Sequence, residues 1–79
     1  MFLFKVEQRF MLTEIGVVLL PGSGKKILKN GDRIKLIRPD KSEVLTIIRA
    51  IVLEHNHPIL SKEIKKEDVP IGTEVWLCE

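Results

Sequence analysis

The stretch EVLTIIRAIVLEH, residues 43–55, limits the possible folds more than any other part of this chain. Read as a strand, it is apolar on both sides. Val44, Ile48, Ala50 and Val52 fall on one side, and Leu45, Ile47, Ile51 and Leu53 on the other. Strand side chains alternate between faces, so a two-sided apolar run has two stable settings. Either it lies centrally in a sheet covered on both faces, or it bends so that each half buries a different side. With 79 residues, the chain has room for one modest core that hides about 60–65% of its unfolded surface. Residues 1–79 are therefore read as a single domain.

The remaining segments also read as strands separated by turns. In the first, Phe4, Val6, Phe10 and Leu12 share one face with Gln8, while Lys5, Glu7 and Arg9 point the other way. GVVLL at 16–20 is too short for a helix and ends at Pro21-Gly22, so a buried strand fits it better. The Asn-Gly pair in KNGD, 29–32, marks a tight turn, and Ile34 and Leu36 then alternate against Arg33 and Lys35. PDKS at 39–42 is a second turn, in which Pro39 presets φ and Asp40 can accept bonds from nearby backbone. PILS at 58–61 makes a short strand, and TEVWLC at 73–78 places Val75 and Leu77 on one face. SKEIKKED, 61–68, is the single helical candidate, with Ser61 as its cap. Six or so short strands with one helical turn near residues 62–67 indicate an all-β barrel or sandwich.

Composition excludes several function classes. Net charge is +2, from 13 Lys and Arg against 11 Asp and Glu, so bulk electrostatics does not point to nucleic acid. The one cysteine, Cys78, has no internal disulfide partner, which fits a reducing cytoplasm. No membrane segment is expected, because the longest uncharged run, 15–24, is short and contains Pro21 and three glycines.

LLPGSGKK, 19–26, resembles the start of a phosphate-binding loop but lacks its working parts. That loop needs glycine five residues before the Gly-Lys pair and Ser or Thr after it; here those places hold Leu19 and Lys26. Asn30-Gly31 also breaks the chain where a helix should run. No nucleotide or other cofactor is expected. His55 and His57 share one face of an extended segment, yet a stable metal site wants three or four ligands, so no metal is expected either. Ser23, Ser42, Ser61 and Cys78 carry no nucleophile signature, and so small a core leaves little room for a substrate pocket. The chain reads as non-enzymatic. Two lysine groups, Lys25, Lys26 and Lys29 in the first loop and Lys62, Lys65 and Lys66 in the helical turn, could touch phosphates or simply be solvated. Aromatic platforms for stacking bases are scarce, with only Trp76 alternating outward.

In chain order, VEQRFMLTEIGVVLLPG, ILKNGDRIKLI, LTIIRAI and LSKEIKKEDVPIGTEVW resemble domain 2 of the translational GTPases, best known from elongation factor Tu. The matching positions are Val6, Glu7, Phe10, Gly16, Val18, Gly22, Lys29, Gly31, Asp32, Ile34, Leu36, Thr46, Ile48, Ile51, Leu60, Ile64, Glu67, Val69 and Gly72. The resemblance implies a small closed β-barrel of six or seven strands, without the GTPase domain and hence without GTP binding. In that family the barrel helps hold the aminoacyl end of tRNA or the ribosome. Here Glu14 and Ile15 replace a Gly-Arg pair, Val52 replaces a glutamate, and the loop before LSKEIKK is shortened to EHNHP. Polar groups near the family's RNA-facing surface are thus lost or made apolar.

Those departures lead to the functional expectation. The chain is read as a non-catalytic binding module making a protein–protein contact, with an unidentified protein or as a homodimer. The expected contact surface is the second face of the long strand plus Trp76, with Val52, Leu53 and Trp76 as the candidate contact residues. The alternative is an RNA- or ribosome-associated module that contacts phosphates through the six lysines.

Overall fold

Turn residues cut the chain into short extended pieces, and these pair side by side. The computed structural model describes residues 1–78. Its strands are β1 Phe2–Lys5, β2 Gln8–Leu12, β3 Gly16–Leu20, β4 Arg33–Ile37, β5 Glu43–Val52, β6 His57–Leu60 and β7 Glu74–Leu77. All pair antiparallel, in the order β1-β7-β4-β5-β6-β3-β2. The all-β expectation holds, and no α-helix occurs among the described residues.

The sheet curls into a half-barrel that is open, which corrects the expectation of a closed one. The reason lies in the segment from Phe2 to Leu12. β1 and β2 are successive pieces of one extended run, so they cannot lie side by side and form a ladder. Val6 still bonds the β7 side, its N–H to the Thr73 carbonyl (2.7 Å) and its carbonyl from the Gly72 N–H (2.8 Å). One residue later the Glu7 N–H donates to the Leu20 carbonyl of β3 (2.9 Å). This change of partner also overturns the expected shared face. Phe4 and Val6 are buried, whereas Phe10 and Leu12 are exposed, because the inward parity is reset at the Glu7 bend.

The core fills the inside of the curl with Phe4, Val6, Val17, Leu19, Leu28, Ile34, Leu36, Ile48, Leu60, Ile64, Val69 and Val75. β5 takes the second of its two settings. Its register shifts between Ile48 and Ala50, so the exposed Arg49 is the extra residue of a bulge. Before the bulge Val44, Thr46 and Ile48 face inward; after it Ile51 does. Regular pairing stops at Val52, and a 3₁₀ turn covers Glu54–Asn56.

The helical turn expected near 62–67 is only a 3₁₀ turn at Lys66–Asp68. Ile64 and Val69 are both buried in the core, which stretches the segment between two anchors. Lys65 is extended (φ −99°, ψ 160°), and its N–H donates to the Asp68 carboxylate (2.9 Å). The Ser61 hydroxyl is hydrogen-bonded to the Glu63 carboxylate and so caps no helix.

Candidate contact surface

β-pairing brings the outward side chains of β7, β4 and the first half of β5 into three rows. Ile47, Arg33 and Cys78 form the first; Leu45, Lys35 and Trp76 the second; Glu43, Ile37 and Glu74 the third. Phe2 of β1 extends the middle row, opposite Trp76, with ring centroids 5.3 Å apart in an edge arrangement. Leu45 is 74% exposed, Ile47 45% and Phe2 47%. This half of β5 pairs with β4 alone, since β6 joins only from Ile48 onward, and its outward side is open apolar surface. An open depression of about 320 Å³ lies on it, lined by Arg33, Leu45, Ile47 and Cys78 with parts of Ile34 and Thr46.

The polar groups of the face are ordered along the strands. Arg33 is exposed at one end, with no carboxylate within ion-pair reach among the described residues. Glu43 and Glu74 stand at the other end, where the exposed Lys5 of β1 lies opposite Glu74. Lys35 Nζ lies 3.9 Å from Glu43 Oε1, and the Trp76 indole N–H donates to Glu74 Oε1 at 2.9 Å. Beneath the face, Thr46 points inward beside Ile34; it is 7% exposed, and its hydroxyl has no hydrogen-bond partner among the described residues.

Of the sequence-predicted contact residues, Trp76 belongs to this face and Val52 and Leu53 do not. Val52 pairs with His57 beyond the bulge, and Leu53 projects from the following turn. About seven residues of strand, roughly 23 Å, separate Val52 from the Leu45 row. The second face of the long strand, expected to be part of the contact surface, is exposed here at Leu45 and Ile47; the residues that sequence reasoning passed over are Phe2 and the charges Arg33, Glu43 and Glu74. The signal for the exposed pair was the two-sided apolar run. The bulge position was needed to tell which half leaves which side uncovered.

The glycine-rich stretch at 19–26 is a structural loop. The Ser23 N–H donates to the Asn56 carbonyl (3.1 Å), the Gly24 N–H to the His55 carbonyl (3.0 Å), and Asn56 Nδ2 to the Gly24 carbonyl (2.7 Å). Gly22, at φ +91°, is packed so closely that an added Cβ would stand 2.5 Å from the His55 carbonyl oxygen and 2.9 Å from His57 Nδ1. Only glycine fits there.

All six candidate lysines are exposed. The loop of Lys25 and Lys26 is stapled to the turn after β5, and Lys29 is tied to Asp32, whose carboxylate accepts its N–H (2.9 Å). The turn of Lys65 and Lys66, which Lys62 precedes, is held at the other end of β5, where Arg38 Nε donates to the Asp68 carbonyl (2.7 Å). One phosphate track through both groups would have to run the length of that strand. His55 and His57 lie with ring centroids 5.9 Å apart, and Glu54 is 3.6 Å from His55. No group of three His, Cys, Asp or Glu residues gathers around a common point among the described residues. Nor is any described helix long and apolar enough to cross a membrane.

No protein-family profile, curated protein or solved structure matches the chain.

Proposed function

We propose that this chain is a non-catalytic, cytoplasmic module that makes a protein–protein contact through the outer face of β7, β4 and the first half of β5. The observation that carries the reading is Leu45, 74% exposed in mid-strand, with Ile47, Trp76 and Phe2 around it. Leaving that much apolar surface in water is unfavourable, at about 25 cal/mol per Å², and covering it on binding recovers the difference. A central apolar patch rimmed by a few charges has the anatomy of a contact site.

The likeness to translation-factor domain 2 enters as a proposal about ancestry of the scaffold. Of its matched apolar positions, Val6, Ile34, Leu36, Ile48, Leu60, Ile64 and Val69 lie in the core and Ile51 packs against it, whereas Val18 faces outward and Phe10 is exposed. The core positions speak for a shared way of filling a barrel and leave the outer surface free to diverge.

The test places a photoreactive amino acid at position 45, with the exposed turn position 30 as control, in living cells. Adducts at 45 that are missing at 30 are expected; equal or no adducts at both overturn the reading. An amide-resolved titration with tRNA at low and moderate salt is expected to leave the chain unshifted. Shifts centred on the two lysine groups that fade steeply with salt would instead make it a phosphate-binding module.

A further inference from the structure

We infer that an extended peptide of another protein docks at this face by adding as a further strand along the free edge of β5, antiparallel to Glu43–Ile47. This rests on the contact reading above and names its occupant. Main-chain bonding marks the place. Along a paired strand, successive residues turn their N–H and C=O groups to opposite sides, so the bonds at the two ends of the β4–β5 ladder fix the rest. The Arg38 N–H donates to the Ser42 carbonyl (2.8 Å), and the Ile48 N–H donates to the Asp32 carbonyl (2.9 Å). Val44 and Thr46 therefore bond towards β4, and Glu43 and Leu45 turn their N–H and C=O groups away from it. β6 joins β5 only from Ile48 onward, and no other backbone group among the described residues bonds Glu43 or Leu45.

The two outermost strands of the sheet are guarded. β1 is four residues long, shifts register between Phe2 and Phe4 and ends on Lys5. On β2 the Arg9 N–H is taken by the Gln8 side chain (3.1 Å), and the turn Lys66–Asp68 lies alongside. Short length, irregular register and lysines are common ways to keep an edge from pairing. From Glu43 to Ile47 the β5 edge has none of these: it is regular, and Leu45 in its middle is 74% exposed.

Size and side chains select the occupant. About four strands at about 4.8 Å spacing and about five residues at about 3.3 Å outline a face of roughly 300 Å². A standard interface takes about 800 Å² from each partner, so the face is too small to hold a folded domain laid flat on it. A strand of about five residues, about 17 Å long, matches the edge, and its main chain satisfies the open groups of Glu43 and Leu45. Its residues opposite Ile47 and Leu45 are apolar and continue the exposed surface of that pair. Its residue opposite Glu43 is basic and shares that carboxylate with Lys35, 3.9 Å away on the other side. At the Ile47 end, Lys62 and Glu63 in the turn after β6 are of opposite sign, and Arg33 stands one strand away on β4.

The test titrates the purified chain with a capped peptide, Val-Thr-Val-Thr-Lys, up to millimolar concentration and follows each amide by NMR. Shifts centred on Glu43–Ile47, with slowed exchange of the Leu45 amide, are expected, and Leu45→Lys with unchanged thermal unfolding is expected to lose them. Two methylated peptides show whether the main chain does the binding. A methyl on the nitrogen of the middle valine blocks the bond to Leu45 and is expected to weaken binding at least about tenfold. The same methyl on the first threonine, whose N–H points away from β5, is expected to leave binding within about twofold. Equal effects of the two methyl groups overturn strand addition. No shift with the parent peptide, but photo-adducts at position 45 in cells, also overturns it and leaves the contact reading standing; no shift and no adducts overturns both. A sedimenting mass that doubles with concentration and stays single in Leu45→Lys overturns the separate peptide in favour of a second copy.

Discussion

The two halves of the sheet, before and after Arg49, share one long strand yet treat their outer faces in opposite ways. Before the bulge, Leu45 and Ile47 stand in solvent. After it, Val18 of β3 and Ile59 of β6 face outward at 7% and 6% exposure, paired with each other and flanked by Phe10 and Ala50. The difference is a lid made of the chain itself. The Arg49 guanidinium reaches across β6 and donates to the carbonyls of Ile15 and, at 3.5 Å, Glu14 in the β2–β3 turn. Gly16 lets that turn come in close, since a Cβ there would stand 2.6 Å from the Leu60 carbonyl oxygen and 3.2 Å from an Ile59 methyl. Val18 and Ile59 are thus kept from water although they face outward, while Phe10 at the β2 edge of the same row stays exposed. The first half has no such turn or arginine over it.

The sharpest way to break this contrast compares neighbours on β5. Ile48→Ala empties a fully buried site and is expected to cost about 2–5 kcal/mol, whereas Ile47→Ala should stay within about 0.5 kcal/mol in dilute solution. Denaturant unfolding followed by Trp76 fluorescence measures both; similar costs would dissolve the distinction between inner and outer faces. Next in size is the lid. Arg49→Met removes the bonds to the β2–β3 turn and is expected to cost about 1 kcal/mol. Amide exchange at Val18 and Ile59 should accelerate, while exchange in β4 stays as it was. Uniform acceleration in both halves would mean that the arginine does not act locally.

Thr46 offers a gain of similar size. Its buried hydroxyl has no partner among the described residues, so Thr46→Val is expected to stabilise the exposed half by about 1 kcal/mol. A loss on thermal unfolding would mean that the hydroxyl has a partner in solution. The smallest effect belongs to the turn that feeds β5. The Ser42 hydroxyl (2.6 Å) and N–H (2.9 Å) both donate to Asp40 Oδ1, and with Arg38 nearby they hold this carboxyl below the ordinary aspartate range. A depressed folded value contributes stability that is present above the unfolded value and fades as pH falls through the folded one. Ser42→Ala should therefore raise the Asp40 titration midpoint, read by carboxyl NMR. It should also lower thermal stability slightly at neutral pH and not at all in strong acid. An unmoved midpoint would show that the turn bonds are not kept in water.

Much of the fold was legible because turn chemistry is local. Gly16–Leu20 was readable to the residue, and β4, β6 and β7 to within a residue or two, since Pro21-Gly22, Asn30-Gly31 and Pro39-Asp40 mark their ends. Phe10 and Leu12 were misplaced for the opposite reason. Nothing local in VEQRF says that pairing passes from β7 to β3 at Glu7, and a single such change inverts every later side chain. The helical turn was overread because Ile64 and Val69 are held by core packing, a tertiary demand that local propensity does not contain. The contact face was half legible. Two-sided apolarity announced a surplus, and the position of the bulge decided where the surplus would surface.

The run shared by β1 and β2 also governs how the chain can reach this structure. Phe2 is paired with Trp76, so the first strand in chain order is matched to the last. On a growing chain β2 can pair with β3 early, through the short turn Thr13 to Ile15, while β1 must wait for nearly everything else to be made. Closing so long a loop is entropically slow, and folds dominated by such distant pairings fold in milliseconds to seconds. During that wait the apolar stretch from Phe2 to Phe4 has no partner strand. The N-terminal residues are therefore the segment most in need of shelter before the last strand arrives.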